Sequence, residues 1–289
     1  MEAFSSLIQQ FQFHTEVYHN ARLCGNWKLE QHRTDQTCFH LITGGHCYLS
    51  IPDYGDTVLE YGDLILFPKE PQHSLFNTEL QTSQEGTQDT DLLCAKVDFG
   101  HSGVEALLKS LPHVLILKNQ ETNFWLKPIL NLIIAENTLR HRGSDAILNR
   151  LSELIFIYSL RHYLNQNPTE VSLLALYADT RLSLAVDAIH THPGTNWTID
   201  KLAQISAMSR TRFAVYFKSR SGWTVMQYIT WWRMQVALGL LKQGESVSTV
   251  SYQVGYQSES AFSRVFAKHF GCNPGKASRQ FRSGTKSDI

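Results

Sequence analysis

Ser260, Ser263 and Arg264 sit close together in the run VGYQSESAFSRVFAKHFGCNP, Val254 to Pro274. Two hydroxyls and a guanidinium at this spacing form hydrogen bonds and ion contacts with a partner, which is recognition chemistry rather than bond making. A helix starting near Ser258 puts Phe262 and Phe266 one turn apart on a stripe with Val265, His269 and Phe270, and that stripe is core. The opposite face carries Ser260, Ser263, Arg264 and Ala267, which are too small, polar or cationic for packing and so are left to bind. Upstream, Val247, Val250 and Val254 recur at helical spacing. Gly255 can take the left-handed conformation that ends one helix before Ser258 caps the next. The local structure expected is helix, turn, helix.

The pattern recurs 49 residues upstream, where Ser209, Phe213, Phe217 and Gly222 stand as Ser258, Phe262, Phe266 and Gly271 do. Ile199, Leu202, Ala203 and Ile205 supply the matching first helix, so two helix-turn-helix units are expected. Between them, Tyr228, Trp232, Ala237, Leu240 and Leu241 are spaced for one long buried helix that holds the units rigidly. Residues 197 to 289 carry 13 Lys and Arg against 4 Asp and Glu, which leaves the other 13 bases with 22 acids in residues 1 to 196. The net charge of zero therefore hides two halves of opposite sign, and the basic half seeks a polyanion.

Residues 197 to 282 resemble the DNA-binding domain of the AraC family of bacterial transcription regulators. The residues that carry the resemblance are Trp197-Thr198, Leu202-Ala203, Met208-Ser209, Phe217-Lys218, Trp232-Arg233, Leu240-Leu241, Val254-Gly255-Tyr256, Phe262-Ser263-Arg264, Phe270-Gly271 and Pro274. One departure is the ending GKASRQFR, where the family's aromatic and Arg do not follow the Pro at the usual place, so the last turn is either altered or shifted to Phe281-Arg282. The resemblance implies that one chain sets a recognition helix into each of two successive major grooves. By register the first helix then offers Thr211, Ala214, Val215 and Lys218 to the groove, flanked by Arg210, Arg212 and Arg220. The second offers Glu259, Ser260, Ser263 and Arg264, with Lys268 further along. Arg264 can reach guanine O6 and N7 or a phosphate, whereas Ala214 and Val215 offer apolar contact such as to a thymine methyl. The first half-site is therefore expected to be read by methyl contacts and shape, and the second by hydrogen bonds.

A length of 289 residues allows about two domains. The start MEAFSSLIQQFQFH has no basic segment followed by an apolar run, and no stretch reaches about 18 apolar residues, so a soluble, unsecreted chain is expected. Cys24, Cys38, Cys47, Cys94 and Cys272, an odd number without paired spacing, point to reduced thiols in a cytosol, and the AraC-family resemblance implies a bacterial cytoplasm, near the nucleoid.

The first 120 or so residues read as short strands (CFHLITG, HCYLSI, TVLEYGDLILF, LLCAKVDF) separated by turn residues. The run from Gly62-Asp63 through Pro68 to His73 and Asn77 resembles the second motif of the cupin barrel. The first motif's His-x-His and Glu are absent, with His32, Cys38 and His40 in their place. Cupins commonly hold a metal. His40, His73 and Cys94 are the candidate ligands here, with Cys38 and His32 as alternates, a set that suits Zn²⁺. The competing reading makes Cys38, Cys47 and Cys94 small core residues.

The similarity to cupin-containing AraC regulators extends over almost the whole chain. It implies an α+β protein in three parts: a cupin-like β-barrel for sensing or pairing at 1–120, linking helices at 121–178, and the double helix-turn-helix domain at 179–289. Leu148, Leu151, Leu154, Ile155 and Tyr158 form the expected dimerisation surface, and residues 165 to 171 the linker. The function expected is sequence-specific transcription regulation, mostly activation, with promoter DNA and RNA polymerase as partners and a metal or small molecule as effector. Two alternatives stand beside it: a metal-dependent cupin enzyme fused to a DNA-binding domain, and a regulator whose barrel only dimerises.

Overall fold

The computed structural model describes residues 3–11, 13–34, 36–52, 54–77, 89–99, 105–108, 111–139, 141–167 and 171–282. Along the chain run α1 (Ala3–Phe11), β1 (Phe13–Leu23), β2 (Lys28–Gln31), β3 (Thr37–Gly44), β4 (His46–Ile51), β5 (Gly55–Glu60), β6 (Leu64–Phe67), β7 (His73–Phe76), β8 (Thr90–Phe99), α2 (Glu105–Leu108) and β9 (Leu115–Leu117). Helices follow: α3 (Asn119–Leu139), α4 (Ser144–Gln166), α5 (Ala175–Ala178), α6 (Leu182–Thr191), α7 (Ile199–Ile205), α8 (Arg210–Ser221), α9 (Val225–Lys242), α10 (Val247–Gln253), α11 (Glu259–Phe270) and α12 (Pro274–Arg282). None of these helices is long and apolar enough to cross a membrane.

The chain divides into two compact units, one of residues 13–98 and 111–163, the other of 1–12, 99–110 and 164–289. The partition differs from the three segments read from sequence, because α3 and the body of α4 belong with the strands. Residues 168–170 of the expected linker lie outside the described residues.

In the first unit a five-stranded sheet, β1-β8-β3-β6-β9, faces a four-stranded sheet, β2-β7-β4-β5, so the expected barrel is an open pair of sheets. The inner faces interlock through Cys38, Ile42, Ile65, Phe67, Leu92 and Cys94 from one sheet and Cys47, Leu49, Leu59 and Leu75 from the other. Alternation places these residues inside, and β3 reads as a continuous buried run because both of its faces are covered. The Gly62-Asp63 corner forms as its residue types require. Gly62 has φ +84°, and an added Cβ would meet the Asn119 side chain at 2.7 Å. Asp63, 2% exposed, accepts from the Asn119 amide at 2.9 Å and from Lys118 Nζ at 2.8 Å. Helices α3 and α4 lie along β1. Thr15 Oγ1 donates to the Asn149 carbonyl, the Val17 amide donates to Asn149 Oδ1 at 3.0 Å, and Phe13 meets Phe156 edge to face at 5.0 Å.

The second unit is helical. Its α1 packs on α6 and α9 and buries Leu7 completely. Both helix-turn-helix units are present, with the same turn chemistry. The Ala207 and Met208 amides donate to the carbonyls of Gln204 and Ala203, as those of Gly255 and Tyr256 do to Tyr252 and Ser251. The first helices are thus offset by 48 residues and the second by 49, because the second turn is one residue longer. Gly255 has φ +82° and its counterpart Ala207 has φ +52°. A left-handed Ala costs roughly 1 kcal/mol, and the Ala207 side chain is exposed. Ala207→Gly therefore stabilises this unit by up to about 1 kcal/mol, read as a rise of about 2 to 4 °C in the thermal midpoint; an unchanged or lower midpoint would count against the assigned strain.

Candidate nucleic-acid interface and sheet interior

The recognition helices α8 and α11 are delimited by their own sequence. Ser209 Oγ accepts from the Arg212 amide at 3.4 Å and Ser258 Oγ from the Ala261 amide at 3.3 Å. Each helix ends on a left-handed glycine, Gly222 with φ +74° and Gly271 with φ +71°. Phe213 and Phe217, and likewise Phe262 and Phe266, are fully buried, which turns the opposite faces outward. On α8 the structure places Arg210, Thr211, Arg212, Val215 and Lys218 in the open, with Ala214 half-buried. On α11 it exposes Glu259, Ser260, Arg264 and Lys268, with Ser263 half-buried. Val215, an apolar side chain on that outward face, is 65% exposed. Arg220 stands apart from the groove set, being half-buried. It lies close enough to Asp179 to act on that carboxyl: burial alone would raise the Asp179 pKa, but the Tyr216 hydroxyl, the Leu182 and Arg181 amides and the Arg220 charge together hold it below the usual range.

Rigid spacing between the two helices comes from α9. Arg233 Nε donates to the Pro193 carbonyl at 2.8 Å and Nη2 to the Thr195 carbonyl at 2.9 Å. Its guanidinium also lies over the Tyr256 ring at 5.9 Å. One side chain thus ties the entrance of the first helix-turn-helix to the turn of the second. The backbones meet at Gly194 and Gly255, where a Cβ on Gly255 would stand 2.5 Å from the Gly194 carbonyl oxygen. The last helix, α12, begins at Pro274; Phe281 packs against the surrounding core, and Lys242 lies 5.4 Å above its ring.

Inside the sheets, the ligand-type side chains that converge are not the three expected. Strand register puts Cys94 directly opposite His40, yet the groups that converge are Cys38, His40 and Glu70, with ligand atoms within 4.8 Å of one another. His73 is engaged elsewhere: its Nε2 faces His40 Nε2 at 2.9 Å and its Nδ1 faces the Pro71 carbonyl at 3.0 Å. Cys94 is a core residue packed between the sheets, and His32 is exposed. Glu70, absent from the sequence-derived set, reaches inward from the β6–β7 connection, where its amide donates to the Gln36 carbonyl at 2.8 Å. Burial pushes the Cys38 thiol well above its usual range and holds His40 neutral, down to about 3. A separate open groove of about 880 Å³ lies outside this interior, lined by polar groups that include Tyr18, Asn20, Arg22, Asp91, His141 and Asn149.

The expected dimerisation residues are mostly used within the chain. Leu148, Leu151 and Ile155 are buried, and Tyr158 stacks on Trp125 at 5.1 Å beneath the Arg161 guanidinium. Of the five only Leu154 is exposed. Phe124, Leu132, Leu139 and Ile147 are the other large apolar side chains left open on α3 and α4.

Comparison with known proteins agrees with this geometry. A family model described as Cupin matches residues 2–165, and one described as Helix-turn-helix domain matches residues 202–280. A putative AraC-like transcription regulator of Streptomyces antibioticus is 30% identical over 241 residues, 81% of this chain and 78% of that one. The RCS-specific HTH-type transcriptional activator RclR of Escherichia coli is 28% identical over 288 residues, 98% of this chain and 99% of its own. An uncharacterized HTH-type transcriptional regulator of Haemophilus influenzae is 29% identical over 294 residues, covering 95% and 97%. Two recognition helices on one basic unit, following a cupin-type pair of sheets, therefore have a plain meaning: the chain belongs to the cupin family through residues 2–165 and is an AraC-like, DNA-binding transcription regulator.

Proposed function

We propose that this regulator activates transcription as a homodimer, each chain gripping two successive major grooves and responding to an effector held by its cupin unit. The observation that carries the two-groove reading is the pair of capped helices with outward polar faces, joined through Arg233. Four of the exposed bases on those helices (Arg210, Arg212, Lys218 and Lys268) are left for phosphates, which gives an expected slope of log K against log salt of about −3.6 per chain. The half-sites are read by different chemistry: Val215 and Ala214 meet thymine methyls in one, Arg264 and the two serines meet base edges in the other. Substituting uracil for thymine removes those methyls. It is expected to weaken binding about tenfold when made in the α8 half-site and hardly at all in the other, by fluorescence anisotropy on the promoter upstream of its own gene. Equal losses in both halves would refute the division of labour.

Pairing of chains is supported by the open apolar side chains of α3 and α4, and RNA polymerase is the partner that activation requires. Leu154→Arg combined with Ile147→Arg is expected to convert a dimer to a monomer by light scattering, with the fold retained because both positions are exposed. Work in the bacterial cytoplasm follows from the DNA target. Reading the cupin unit as an enzyme has less support, since its converging groups are a thiol, an imidazole and a carboxylate without the His-x-His pair. A unit that only pairs chains remains the second reading, favoured by the same exposed stripe.

A further inference from the structure

Three ligand-type side chains meet between the sheets. Cys38 and His40 are 0% exposed and Glu70 is 2% exposed. The Glu70 carboxylate is held by the Thr34 hydroxyl, with the Cys38 thiol beside it, and among the described residues no basic side chain pairs with it. A carboxylate so far from water is costly unless a positive charge accompanies it.

The imidazole next to it is arranged to donate an electron pair. The Pro71 carbonyl can only accept, so His73 Nδ1 carries its proton and, in the neutral ring, His73 Nε2 accepts. The 2.9 Å contact between the two Nε2 atoms then makes His40 the donor, which leaves His40 Nδ1 as a bare lone pair. That nitrogen is buried and has no hydrogen-bond partner. The chain His40 to His73 to Pro71 carbonyl is the outer support a metal-bound imidazole commonly has, with its far N–H anchored and its orientation fixed. Thr34 supports Glu70 in the same way.

We propose that Cys38 Sγ, His40 Nδ1 and a Glu70 carboxylate oxygen bind one Zn²⁺-class divalent ion, with the fourth tetrahedral position open to water or an added ligand. The mixed sulfur, nitrogen and oxygen donors suit zinc and disfavour magnesium or calcium. Bond lengths of about 2.0 to 2.3 Å place ligand atoms roughly 3.3 to 3.8 Å apart around a tetrahedral ion, and the three side chains, each offering one ligand-type atom within 4.8 Å of the others', reach that spacing by side-chain adjustment. On binding, the Cys38 S–H bond breaks, the proton leaves to solvent and a sulfur–metal bond forms. His73 is a positioning residue, and Cys94 takes no part.

The site stands independently of how DNA is read, and cobalt tests it in the full-length chain. The apoprotein, prepared by chelation, is titrated with Co²⁺ under absorption spectroscopy and then with Zn²⁺. Expected is one Co²⁺ per chain, with tetrahedral d–d bands and a thiolate-to-cobalt charge-transfer band, bleached by one equivalent of Zn²⁺. Cys38→Ser abolishes the charge-transfer band and Cys94→Ser keeps it. His73→Gln retains it with affinity lowered about 10- to 100-fold, and Glu70→Gln, which removes a direct ligand, retains it with a larger loss of affinity. Absence of stoichiometric Co²⁺ from the wild-type chain overturns the proposal whatever the variants do. So does a charge-transfer band that survives Cys38→Ser, or one lost in Cys94→Ser. Circular dichroism confirms that each variant is folded, and promoter anisotropy on the same samples reports separately on DNA binding.

Discussion

Arg264→Ala is expected to weaken promoter binding by about 1 to 3 kcal/mol, roughly 5- to 150-fold, and to relax discrimination at one guanine of the second half-site. The side chain stands exposed on α11, two residues past Phe262 and two before Phe266, which bury the helix. It makes no ion pair or hydrogen bond with the described residues, so its fork is free for a base edge and its removal leaves the fold intact. The thermal midpoint should therefore stay unchanged while affinity falls. Lys268→Ala serves as the contrast, since a phosphate contact lowers affinity evenly across operator variants and makes the salt slope shallower by about 1. Anisotropy at fixed salt, with the second half-site altered one base pair at a time, separates the two. An Arg264→Ala protein as tight and as selective as the parent would remove Arg264 from base reading.

The larger structural effect is expected at Gly255. Alanine there would place a Cβ 2.5 Å from the Gly194 carbonyl oxygen and 2.8 Å from Arg233 Nη2, at a φ of +82°. Left-handed strain contributes roughly 1 to 2 kcal/mol. The clash adds overpacking of about 1 to 3 kcal/mol, because the obstacle is backbone that is itself tied to Arg233. A total loss of about 2 to 5 kcal/mol follows, and the two helix-turn-helix units lose their fixed spacing. Gly271→Ala is the control: its φ is +71° but nothing lies within 4 Å of the added Cβ, so only the conformational cost of roughly 1 kcal/mol applies. Calorimetry should rank the two variants in that order. Binding of Gly255→Ala to a two-half-site operator should fall toward that to a single half-site. Equal destabilisation at both glycines would mean that the Gly194 contact contributes nothing.

The recognition helices could be read directly because every signal that makes them is local. Phe213, Phe217, Phe262 and Phe266 repeat at helical spacing, Ser209 and Ser258 bond amides three residues ahead, and Gly222 and Gly271 permit the left-handed exit. The open pair of sheets was less legible. CFHLITG and HCYLSI announced β3 and β4, but β1, Phe13–Leu23, was missed because His14, Glu16, His19, Asn20 and Arg22 dilute its apolar positions. Its pairing with β8 joins segments about seventy residues apart, and no local preference encodes that. The apolar wheel of α4 predicts a surface for another chain; of its residues Leu148, Leu151 and Ile155 are buried within this one, and Leu154 stays exposed.

The sequence by itself determined a basic domain with two capped recognition helices, the identity of the side chains they turn outward, and a cupin-type run of strands before them. Periodicity and capping involve residues within a turn or two of one another, so composition and spacing suffice. Tertiary structure alone decided which ligand atoms converge. Cys38, His40 and Glu70 meet because β3 pairs with β6 in one register, Cys38 opposite Phe67, and the loop beyond Pro68 folds back until the Glu70 amide reaches the Gln36 carbonyl. Cys94 shares the register of His40 and still stays in the core. Direction and reach, which long-range pairing sets, distinguish a ligand from a neighbour.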